Sequence, residues 1–287
     1  MAERKTLIFS DSTCDLSPEM VKERDIYINP LTVVFGDENK VDGIDITPDD
    51  VYAFYEKTGT LAKTTAINIS EHEEFIRKNL KDGMGAVYFT ISSEMSSNNN
   101  YANIAAQEFQ NVYIIDSRNL STGIGLLVLH AADLADQGKT AKEIYDEITS
   151  MTDRVDSSFI VDTLEYLHKG GRCSSIAALG ANLLKLRPCI QVKDGKMSVA
   201  KKYRGKMDDV LKTYVREKIA DVDNIDGNRI FITNSGNCEK IEKELYEIVK
   251  EVYPDKEILL TRAGCTVSTH CGPGTLGILM IRKRPIE

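Results

Sequence analysis

Ser92-Ser93-Glu94-Met95-Ser96-Ser97-Asn98-Asn99-Asn100 is the densest run of hydroxyl and amide side chains in the sequence. Such groups donate hydrogen bonds and suit a carboxylate or phosphate. A helix starting beside them would add unpaired N–H groups and partial positive charge. The same residues are also ordinary helix caps, and the loop alone leaves both readings open. Asp11-Ser12-Thr13 and Asp116-Ser117 repeat the composition. Two other segments could do chemistry. In Ser268-Thr269-His270-Cys271-Gly272-Pro273-Gly274 a histidine lies on a Gly-Pro-Gly bend, where backbone approaches a ligand closely or simply turns at the surface. Lys169-Gly170-Gly171-Arg172 is basic and glycine-rich, fit for an anion or for the C-terminus of a helix.

The usual catalytic signatures are missing. There is no G-x-x-x-x-G-K-[ST] loop, G-x-S-x-G elbow or H-E-x-x-H pair, and Gly123-x-Gly125 lacks a third glycine. His270-Cys271 beside Cys265 has no second pair at ligand spacing, so no metal site is expected. The six cysteines include no C-x-x-C pair and read as thiols rather than bridges.

Short apolar runs at 5–10, 86–91 and 112–115 predict strands, and each ends in one of the polar segments. Helix starts are signalled by Ser17-Pro18, Thr47-Pro48, and capping boxes at Ser70-x-x-Glu73 and Thr140-x-x-Glu143. Strands alternating with helices imply a parallel sheet whose carboxyl ends bring the three polar loops to one edge, where open α/β sheets bind ligands. Residues 26–35 read as extended, 36–40 as a turn, 58–69 as irregular and 126–135 as a buried apolar helix. A boundary near 153–156 divides an N-terminal α/β domain, 1–154, from a C-terminal α+β domain, 155–287. The second half predicts a strand at 158–161, helices at 164–169 and 176–186, and a hairpin turning at Asp194-Gly195. Helices at 207–219 and 238–252 and strands at 229–233, 257–261 and 275–282 follow. An early hairpin in a mixed order implies a mixed or antiparallel sheet.

At 287 residues, 42% apolar and 28% charged, the composition is that of a globular protein of about two domains. A formal net charge of -8 argues against nucleic acid as a partner. No apolar run reaches membrane-spanning length, and Met1-Ala2-Glu3-Arg4-Lys5 leads straight into a strand, so a cytoplasmic protein is expected.

Taken in order, Asp11-Ser12-Thr13-x-Asp15-Leu16, Lys63-Thr64-Thr65, Ser92-Ser93-x-Met95-Ser96, Asp116-Ser117, Leu164-Glu165-Tyr166-Leu167-x-Lys169-Gly170-Gly171-Arg172 and His270-x-Gly272-Pro273-Gly274 resemble the DegV family across nearly the whole chain. The resemblance implies a two-domain α/β protein that holds one long-chain fatty acid, such as palmitate, stearate or oleate, between its domains. It implies no catalysis by the chain itself. The protein would present the acyl carboxylate to the catalytic subunit of a separate ATP-dependent fatty acid kinase, feeding phospholipid synthesis, with transient membrane contact. The family's carboxylate-binding Thr and Ser fall on Thr64 and Ser96, with Thr65 at the next hydroxyl and His270 close by. The arginines associated with kinase contact fall on Arg172 and Arg204. The chain departs from the pattern at Ala66-Ile67, where the family has Gln-Pro, and at Ser97-Asn98, where it has Gly-Thr.

The energetics favour an acyl ligand. Burying about 15 methylenes at about 0.8 kcal/mol each contributes on the order of 10 kcal/mol, against about 1.5–3 kcal/mol for each hydrogen bond to a charged head. Two rival readings stand beside it. One is a phosphotransferase-type subunit using His270 in phosphoryl transfer to a small hydroxy-compound, since the implied fold is shared with dihydroxyacetone kinases. The other is a regulatory module for a different apolar ligand.

Overall fold

Every residue of Thr6–Asp11 (β1) is buried, as a strand covered on both faces requires. The computed structural model describes residues 4–173 and 186–286. In it, β1 is an inner strand of a parallel four-stranded sheet with Ile26–Asn29 (β2), Gly85–Thr90 (β6) and Val112–Asp116 (β7), in the order β2-β1-β6-β7. Between β2 and β6 the chain forms a small antiparallel sheet of Thr32–Phe35 (β3), Glu38–Val41 (β4) and Lys63–Thr65 (β5). Residues 36–40 therefore supply a strand as well as a turn, and the Thr-rich segment supplies β5. Pro30, which has no N–H, lies between β2 and β3.

Helices Pro18–Glu23 (α1), Pro48–Thr58 (α2), Ile69–Asn79 (α3), Asn98–Ala106 (α4), Thr122–Asp136 (α5) and Ala141–Thr149 (α6) connect these strands. Ser17 accepts from the Met20 N–H with Pro18 at the first helical position, and Thr140 and Glu143 close the expected capping box. The box before α3 is Asn68 with Glu71, two residues ahead of the Ser70–Glu73 spacing.

The second half builds a six-stranded sheet from Val155–Ile160 (β8), Leu186–Lys193 (β9), Lys196–Arg204 (β10), Ile225–Asn234 (β11), Glu257–Arg262 (β12) and Leu276–Arg282 (β13). The order is β10-β9-β8-β13-β11-β12, antiparallel except for β11–β12. Asp194 and Gly195 take left-handed φ values of 52° and 79° at the hairpin turn, as the Asp-Gly signal requires. Glu165–Gly170 (α7), Met207–Ile219 (α8), Glu239–Val252 (α9) and Cys265–Cys271 (α10) complete the chain. The helix expected over 176–186 lies outside the described residues except for Leu186, which opens β9.

Helix α5 is apolar on nearly all sides because it is enclosed. Its core includes Ile8 and Val87 of the parallel sheet together with Val155, Phe231 and Leu279 of the mixed sheet. Among the described residues no helix is long and apolar enough to cross a membrane.

Candidate functional site

A cavity of about 280 Å³ opens where the two halves meet. From the first half it takes Thr64, Thr65 and the loop after β6; from the second it takes α7, α10, Phe159 of β8 and Met197 of β10. The exposed lining residues Thr65, Ser97 and Arg172 are polar, whereas Leu31, Leu120, Phe159, Leu167 and Met197 are buried and apolar. A second apolar cavity of about 30 Å³ shares Leu120, Phe159, Val267 and Cys271 with the first. The lining thus combines exposed polar groups with buried apolar walls.

The three polar loops do converge at the carboxyl edge of the parallel sheet, but two of them bond to neighbours instead of lining the cavity. Buried Asp11 accepts from the Thr13 and Ile91 N–H groups and from Asn98 Nδ2. Asp116 accepts from the Ser93 N–H and hydroxyl. Only the 92–97 loop reaches the cavity, through Met95, Ser96 and Ser97. The Ser96 N–H is fixed on the Ser92 carbonyl at 3.2 Å, and Ser96 Oγ accepts the Asn98 N–H at 3.2 Å.

His270 sits in the last turn of α10 rather than on the bend that follows it. Two carboxyl groups from the first half hold the start of this helix. Asp42 accepts from the Cys265 and Thr266 N–H groups, and Asp15 accepts from the Gly264 N–H at 2.9 Å and the Ser121 hydroxyl at 2.5 Å. Burial pushes the Asp15 carboxyl up to about 8, and the charges of Asp42 and Asp11 add to the rise. After the helix, Gly272 takes a left-handed φ of 74°, and a Cβ there would lie 2.5 Å from the Tyr166 ring.

His270 Nε2 lies 2.9 Å from Thr64 Oγ1. Its Nδ1 is buried with no hydrogen-bond partner among the described residues, against Gly170, where an added Cβ would come within 2.6 Å. A proton on Nδ1 would be a buried donor without an acceptor, so we assign it to Nε2, donating to Thr64. Burial, with help from the Arg172 charge, pushes the imidazole down to about 4, so it is neutral near pH 7. With Thr64 and Ser96 each accepting a protein N–H, both hydroxyls keep their own protons to donate. A hydroxyl–imidazole pair is also how a nucleophile is activated, but the base then needs an acceptor on its second nitrogen, and Nδ1 has none among the described residues.

Arg172 lines the cavity while donating to the Gly170 carbonyl at the end of α7, where Gly171 is the left-handed cap. Arg204 is not a lining residue: it lies exposed at the far end of β10, seven residues and roughly 23 Å from Met197. Thr64, Thr65, Ser96, His270 and Arg172 therefore share one cavity and Arg204 stands apart. Sequence reasoning missed the apolar walls, which come from segments distant in the chain, and the anchoring carboxyl groups of Asp15 and Asp42. Asn98, which lies in the dense polar run and departs from the family pattern, was the available signal for a residue doing something particular.

A family model described as "Uncharacterised protein, DegV family" matches residues 5–283. A DegV domain-containing protein of Clostridium perfringens is 33% identical over 289 residues, covering 97% of this chain and 98% of the relative. A DegV family protein from Thermus thermophilus, described for its fatty acid binding, superposes with a TM-score of 0.86 at 26% identity, over 97% of this chain and 99% of that one. DegV from Bacillus subtilis, described as a fatty acid binding protein, superposes with a TM-score of 0.84 at 25% identity, over 98% of this chain and 100% of that one.

Proposed function

This chain belongs to the DegV family, and from that premise we propose that it binds one long-chain fatty acid between two domains, 1–154 and 155–287. The carboxylate lies on Thr64, Thr65 and Ser96, and the chain runs along the apolar walls. The observation that carries this reading is the hydroxyl pair. Thr64 and Ser96 each have an N–H donated to them, which leaves two O–H donors for an acceptor-only ligand. Neutral His270 orients Thr64, and exposed Arg172 contributes the positive charge. The protein is a carrier rather than a catalyst. It offers the carboxylate to a separate ATP-dependent kinase that docks over Arg172 and Arg204, and it works in the cytoplasm with transient membrane contact.

Titration with a C16 fatty acid and with the alcohol of the same chain tests this. The two share a tail, so the difference isolates the head group. The acid is expected to bind at least about tenfold more tightly, the minimum for one hydrogen bond to a charged group. Equal affinities, or no binding of either, would overturn the reading.

A further inference from the structure

We propose that Asn98 is a positioning residue that fixes the two hydroxyl segments of the carboxylate site relative to one another; this rests on the fatty-acid reading above. Asn98 is fully buried at the first position of α4. Its Oδ1 accepts the Ile67 N–H at 3.1 Å, three residues beyond Thr64, and its own backbone N–H donates to Ser96 Oγ at 3.2 Å. One residue therefore grips both segments. Its Nδ2 donates to Asp11 Oδ2 at 2.7 Å, and that oxygen also takes the Ile91 N–H at the end of β6, where the Ser96 loop departs.

The orientation of the amide is determined by its neighbours. The Ile67 N–H can only donate, so Oδ1 must face it, which turns Nδ2 toward Asp11 Oδ2, an oxygen that already accepts the Ile91 N–H. His72 Nε2 lies 3.2 Å from the same Oδ1 and must carry the imidazole proton. His72 Nδ1 then accepts from the Tyr88 hydroxyl at 2.9 Å, and the Tyr88 oxygen accepts from Asn29 Nδ2 at 2.8 Å. All the donors run one way, from Asn29 through Tyr88, His72 and Asn98 to Asp11. Flipping the amide would set N–H against the Ile67 N–H and take the Nδ2 donor away from Asp11 Oδ2. His72 is fully buried, and burial pushes it down to about 4, which keeps it neutral and the direction of the chain intact. A network in which every member is satisfied holds a single geometry. Here that geometry sets the spacing between Thr64 and Ser96.

The test compares wild type, Asn98→Ala and Asn98→Asp for the ratio of acid to alcohol affinity at pH 8, using the C16 pair. A positioning role lowers that ratio by about tenfold while alcohol affinity stays near wild type, because the walls are untouched. Asn98→Asp is nearly isosteric and still accepts from Ile67, but it sets an oxygen against Asp11, so it should lose the ratio as well. If Asn98→Ala fails to fold, Asn98→Asp decides alone. Acid and alcohol weakened equally, or a wild-type ratio in a folded variant, would overturn the role of Asn98. A wild type that does not prefer the acid would instead overturn the fatty-acid reading itself.

Discussion

Ser96 and Thr64 differ from the many other hydroxyls near the sheet edge in what their oxygens already accept. Ser10, Ser117 and Thr275 donate to backbone carbonyls and have no proton to spare. Ser96 and Thr64 accept from the Asn98 N–H and from His270, so their protons remain for a ligand. Ser96→Ala is therefore expected to weaken fatty acid binding by about 1.5–3 kcal/mol, on the order of tenfold to a hundredfold, with alcohol binding nearly unchanged. Isothermal titration would check this, and undiminished acid binding would contradict the assignment of Ser96. The residue types were legible in the sequence. Which hydroxyl keeps its proton was not, because that depends on the N–H of Asn98 and on an imidazole 206 positions from Thr64.

Helix α10 shows the same division among elements. The Gly-Pro-Gly signal located a turn correctly, but the helix before it is only seven residues long and would be marginal alone. It forms because Asp42 and Asp15, far away in sequence, supply acceptors for its first N–H groups. Strands β4 and β5 escaped for a related reason: both are short and polar, and pairing with β3 decides their conformation. By contrast, β1, β6 and α5 were plain, being long apolar runs enclosed on several sides. Asp15 gives this element a pH dependence. Its folded carboxyl is raised to about 8, so folded protein binds a proton that the unfolded chain has lost above about pH 4, and stability falls as pH rises between those values. Asparagine can accept from Gly264 without the charge. Asp15→Asn should therefore gain in melting temperature relative to wild type as pH rises from about 4 to about 8, and level off above. A gap that narrows with rising pH would contradict the buried, proton-holding state of Asp15.

For the molecule as a whole, the parallel and mixed sheets share α5, and a cavity is lined by β5 and the loop after β6 from the first half and by Phe159 and Met197 of the mixed sheet from the second. Alternating strands and helices made the parallel sheet readable, and the hairpin announced the mixed one. The cavity itself was not readable, since Leu31, Leu120, Phe159 and Met197 meet only in the folded chain. Such a cavity suits a ligand held mainly by its hydrocarbon, with the hydroxyls setting its orientation. Mass spectrometry of the organic extract from freshly purified, denatured protein tests that claim most directly. One fatty acid of about 14 to 18 carbons per protein molecule is expected, which at about 0.8 kcal/mol per buried methylene is long enough for the tail to dominate affinity. An extract without any acyl chain, still empty after the protein has been offered free fatty acids, would contradict it.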